Sequence, residues 1–103
     1  MEAVYSPLFL EDELALSDTV YDSVESSIDV LLDHPGLAAD YDPLYDHDLP
    51  PTPCKRYYVP QTTKVIYLSI DEDKGRLNLL LLADARQDPR TTFSRMRNEK
   101  ATA

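Results

Sequence analysis

Apolar residues along this chain follow two different periods. Val20, Val24, Ile28 and the pair Leu31/Leu32 recur at i, i+4, i+8 and i+11/12, which lines one face of an amphipathic helix over 18–33. His34-Pro35-Gly36 ends that helix, since a proline ring disfavours helical backbone at the residue before it. Upstream, SPLFLEDELAL over 6–16 offers Ser6 as an N-cap, Pro7 at the first helical position and acids in the first turns, so a short helix is expected there. From Thr62 the pattern is β-branched and aromatic (TTKVIYLSI, 62–70), then nearly continuous leucine (RLNLLLLA, 76–83). DEDKG between the two supplies a turn, with Gly75 available for a positive φ, and the whole predicts a β-hairpin.

Strict alternation sends Leu77, Leu79 and Leu81 to one side of that hairpin and Leu80 and Leu82 to the other. A two-stranded ribbon cannot cover two apolar faces. The 18–33 helix is assigned to one face; the other falls to a third strand in KRYYV (55–59), to a partner or to a second copy of the chain. Pro43, Pro50, Pro51 and Pro53 forbid regular ladders over 37–55 and mark a linker. The expected organisation is α+β and partly disordered: an acidic arm over 1–54, a hairpin module over 55–84 and a basic tail over 85–103 that is frayed or forms a short terminal helix.

Charge sharpens this division. Residues 1–54 hold thirteen acids and no Lys or Arg, while the remainder holds ten basic and six acidic residues, for a net −9 over 103 residues. An acidic half repels phosphates, so direct nucleic-acid binding through it is not expected. The 18–33 helix carries Asp18, Asp22, Glu25, Asp29 and Asp33 at three- and four-residue spacings, each like-charge pair costing about 0.2–0.5 kcal/mol. No apolar run reaches membrane-spanning length and no signal-like leader is present, which gives a cytoplasmic or nuclear expectation. A single cysteine, Cys54, cannot form an internal disulfide.

Two segments are similar to each other: Tyr5-Ser6-Pro7-Leu8-Phe9-Leu10-Glu11-Asp12 and Tyr41-Asp42-Pro43-Leu44-Tyr45-Asp46-His47-Asp48. A leucine and an aromatic flanked by acids suit docking into an apolar groove rimmed by basic residues. The second copy, Leu44-Tyr45-Asp46-His47-Asp48, resembles the Leu-aromatic-Asp-x-Asp segment by which the adenoviral early-region transforming protein occupies the retinoblastoma pocket. That resemblance implies Leu44 and Tyr45 in an apolar groove, Asp46 and Asp48 against basic side chains, and a retinoblastoma-type pocket protein as partner. Thr52-Pro53-Cys54-Lys55 fits a proline-directed kinase site and makes Thr52 a phosphorylation candidate.

Catalytic and metal patterns are weak. Asp71-Glu72-Asp73-Lys74-Gly75 opens like a calcium loop but lacks the closing glutamate, and His34 and His47 have no ligand spacing. No cofactor or metal is expected. The resulting expectation is a non-enzymatic interaction protein, with a viral regulator of host transcription or cell cycle as its concrete form. Leu8, Phe9, Leu44 and Tyr45 would be its anchors, and Asp12, Asp46 and Asp48 its steering charges. The alternatives are a small assembly subunit that forms homo-oligomers through the hairpin, and an acidic inhibitor that mimics nucleic acid.

Overall fold

The protein is described by a computed structural model over residues 1–40, 54–87, 91 and 93–95. It is an α+β fold in which two helices lie against a five-stranded sheet of order β1-β5-β4-β3-β2. The strands are β1 Glu2–Tyr5, β2 Ala39–Asp40, β3 Lys55–Tyr58, β4 Lys64–Asp71 and β5 Arg76–Asp84; the helices are α1 Pro7–Leu14 and α2 Asp18–Asp33. Neighbouring strands are antiparallel except β1, which runs parallel to β5.

Local chemistry explains the helix starts. The Ser6 hydroxyl accepts from the Phe9 amide at 3.1 Å with Pro7 beginning α1, and Ser17 accepts from the Val20 amide at 3.4 Å to begin α2. Pro35 stops α2, and the chain makes a short 3-10 turn over Pro35–Leu37 before β2. Gly75 supplies the positive φ, 63°, that closes the β4–β5 turn.

Both faces of the sheet are covered. On the first, Phe9, Val24, Ile28 and Leu31 from the helices meet Ile66, Leu68, Leu77, Leu79 and Leu82. On the second, Val65, Tyr67, Leu81 and Ala83 are buried with Phe93, and Leu8, Leu80 and Cys54 pack around them. Three details depart from the sequence pattern. Tyr67 pairs with Leu81 but Leu68 pairs with Leu79, so Leu80 is an extra residue in a β-bulge. The bulge reverses the alternation: Leu82, not Leu81, joins Leu77 and Leu79 under the helices, and Leu81 joins Leu80 on the opposite side. KRYY does add a strand, but in the plane of the sheet beside β4, where it widens both faces and covers neither. The second face is covered from the chain's end instead, for Phe93 is fully buried although its segment reads as polar tail.

The bulge also leaves the Leu80 carbonyl needing a donor, and the Ser6 hydroxyl provides one at 2.7 Å while the Ser6 amide bonds the Leu79 carbonyl at 3.0 Å. One side chain therefore starts α1 and ties it to β5. Ser6→Ala is expected to destabilise the fold by about 1–3 kcal/mol, a lost cap plus an orphaned carbonyl, measurable by urea denaturation at unchanged m-value.

Candidate functional site

The acids of α2 and the β3 cation Arg56 lie on opposite sides of the sheet. Asp18, Asp22, Glu25, Asp29 and Asp33 belong to α2, which packs on the first face. β3 presents Arg56 and Tyr58 to the second face, since they pair with Tyr67 and Val65 of the second core. The Arg56 guanidinium carbon lies 5.5 Å from the centre of the Tyr58 ring, and Tyr58 is 57% exposed. Beside them Phe93 meets Tyr67 edge to face at 5.3 Å, and the segment it belongs to is held by Arg95, whose Nη2 bonds Asp12 Oδ1 at 2.8 Å. Farther along this face Asn78 donates to Ser69 at 3.3 Å. Arg76 stands in register between Glu2 of β1 and Asp71 of β4. Arg56 and Tyr58 are thus a cation and an exposed phenol on an aromatic floor, a pairing suited to phosphate and base contacts.

Other polar features have less to offer. A groove of about 440 Å³ between α2 and the β3–β4 loop is lined by Thr19, Asp22, Ser23, Ser27, Tyr57 and Gln61 among others. The Ser23 and Ser27 hydroxyls are already donated to Thr19 and Ser23 carbonyls of their own helix. Burial pushes the Cys54 thiol up to about 11, so it is a poor nucleophile. Asp84 is held well below the usual carboxylate range by Arg86, which bonds it through the backbone amide, Nε and Nη2, and the pair closes the exposed end of β5. Among the described residues no group of three or more His, Cys, Asp or Glu could hold a metal ion, and no helix is long and apolar enough to cross a membrane.

The residues singled out from sequence fare differently. Phe9 is fully buried beneath α1 in the first core, Leu8 packs in the second, and Asp12 is engaged by Arg95, so these three serve the protein's own interior. Leu44, Tyr45, Asp46, Asp48 and Thr52 lie outside the described residues. Sequence reasoning does not single out Arg56 and Tyr58, because KRYYV reads simply as strand; the available clue is a basic–aromatic alternation at period two, which puts both on one face.

No protein-family model and no curated protein matches the sequence. Solved structures do match the fold. One is the isolated E. coli RelE toxin in its P21 crystal form, with a TM-score of 0.63 at 11% identity over 98% of this chain and 97% of that one. The chain is similar in fold to RelE. A chain of the intact E. coli RelBE toxin–antitoxin complex gives a TM-score of 0.61 at 13% identity, over 82% of this chain and 96% of its own. These likenesses correct the expectation of a viral regulator of transcription or cell cycle that docks motifs on a flexible arm: the chain shares its fold with the E. coli RelE toxin. The expectation of a non-enzymatic protein is contradicted by the same likeness to the RelE toxin. A retinoblastoma-type partner is set aside with it.

Removing the aromatic cap tests how the second face is built. Phe93→Ala should cost about 3–5 kcal/mol if the buried ring is a core member, and a loss below about 1 kcal/mol in thermal or urea unfolding would show that the segment merely rests there.

Proposed function

We propose that this chain is a RelE-like toxin that acts on RNA through the sheet face bearing Arg56 and Tyr58, with a protein antitoxin as its natural partner. The observation that carries this reading is the full-length likeness to RelE, which spans 98% of this chain. The geometry supports it in two ways. The sheet places the carboxylates of α2 on the side opposite Arg56. Arg56 also has the fork geometry that matches phosphate oxygens, and the exposed ring of Tyr58 offers a stacking surface with a hydroxyl at its edge.

In this reading Arg56 stabilises charge developing on the phosphate, Tyr58 positions the base and exchanges a proton through its hydroxyl, and Cys54 takes no part. Induced expression in bacteria is expected to arrest growth and fragment cellular RNA. Arg56→Ala should reduce cleavage about 10–100-fold, the loss of one charge-assisted contact to phosphate, and Tyr58→Phe should retain binding while slowing cleavage. Unimpaired growth with intact RNA, at confirmed expression of folded protein, would overturn the proposal.

A further inference from the structure

The C-terminal turn of α1 carries a carboxylic acid in an unusual setting. Glu13 is only 5% exposed, and its Oε2 has no hydrogen-bond partner among the described residues. The neighbouring acid that acts on it is Glu25 of α2, as a side-chain hydrogen-bond partner and as a charge. A hydrogen bond between two carboxyl groups requires one of them to carry the proton. Tyr5 at the end of β1 donates to both Glu25 oxygens, at 3.1 and 3.0 Å. Burial, the Glu25 hydrogen bond and the Glu25 charge together raise Glu13 from the ordinary carboxylate range to about 7. Tyr5 itself is pushed up strongly by burial and by Glu25, so it remains a donor, and Tyr21 is raised by Glu25 and Glu13 with Asp22 beside it. The groups acting on Glu13 from the elements packed against it are therefore acids and phenols. With two carboxylates and no third ligand among the described residues, the arrangement holds a proton rather than a metal ion.

We propose that Glu13 and Glu25 form a proton-held latch: with the shared proton in place the last turn of α1 is closed on α2 and β1, and its loss opens that turn. The neighbouring residue makes the consequence larger than one turn. Asp12, next to Glu13, holds Arg95 at 2.8 Å, and Phe93 of the same segment covers the second sheet face. Opening at Glu13 therefore loosens the tether of the segment that covers the opposite side of the sheet. This latch is a property of α1 and stands or falls independently of what that face binds.

The sign is fixed by the raised value. Stabilisation from neutral Glu13 is fully present below its unfolded value near 4.5 and is lost as pH rises through about 7. Carbon-detected NMR of the side-chain carboxyls should find Glu13 titrating near neutrality. Amide exchange at Ala15 and Leu16, corrected for intrinsic rates, should lose about tenfold or more in protection between pH 5 and pH 8. Glu13→Gln, which keeps a neutral group of the same shape, should retain that protection at pH 8, and Glu25→Gln should return the Glu13 titration toward the ordinary range. A Glu13 carboxyl that titrates with ordinary glutamates overturns the latch, as does equal protection at pH 5 and pH 8. Should Glu13→Gln fail to fold, the titration of the unmodified chain and the Glu25→Gln shift decide the matter alone.

Discussion

The fold depends on a single demand, that β5 be buried on both sides. Leu77, Leu79 and Leu82 need cover on one face and Leu80, Leu81 and Ala83 on the other, at about 1.5–3 kcal/mol for each large side chain removed from water. Helix α2 satisfies the first requirement but cannot reach the second. The bulge at Leu80 distributes the leucines between the two faces, and α1 crosses from one to the other: Phe9 enters the first core while Leu8, its neighbour, enters the second. The segment with Phe93 completes the second layer. β1, parallel to β5 and joined through Ser6 to the bulge, fixes where α1 must begin.

Much of this was legible in the sequence, and the reasons differ by element. Helix α2 occupies Asp18–Asp33, the range its apolar spacing marks, because a 16-residue amphipathic helix with a serine cap and a proline stop is specified locally. The Ser6-Pro7 start of α1 and the turn at Gly75 are local for the same reason. The four residues of β1 are too few to show a period, and their partner lies more than 70 positions away. A bulge leaves no mark in the pattern of leucines, yet it inverts the facing of everything after it. The Glu13–Glu25 contact depends on the packing angle of two helices and has no signature in composition.

The repeated Tyr-x-Pro-Leu-aromatic segment shows why a motif can mislead. In its first copy every defining residue is used internally. Tyr5 donates to Glu25, Ser6 caps α1 and satisfies Leu80, Pro7 starts the helix, Leu8 and Phe9 feed opposite cores, and Asp12 holds Arg95. A strand that ends in an aromatic and turns into a proline-initiated helix has to write something close to those letters. The same letters describe a docking peptide, and sequence cannot tell them apart because both uses require alternating apolar anchors and flanking acids. What separates them is whether the anchors face inward.

Magnitudes decide how far a change at Glu13 would travel. Moving a carboxyl from near 4.5 to about 7 corresponds to a penalty on the order of 3 kcal/mol for ionising it in place. Domains of this size are stable by about 5–15 kcal/mol, so such a penalty does not unfold a sheet buried on both faces. The turn that contains Glu13 is another matter. Leu14 is 88% exposed, Ala15 is also exposed, and the closing bonds from Ala15 and Leu16 reach back only three residues, at 3.3 and 3.1 Å. Little apolar burial resists its opening, so the cheapest response to an extra buried charge is local: the turn lifts and both carboxylates reach water. Phe9, four residues earlier and fully buried, sets where that opening stops, because releasing it would cost as much as the charge repulsion relieves.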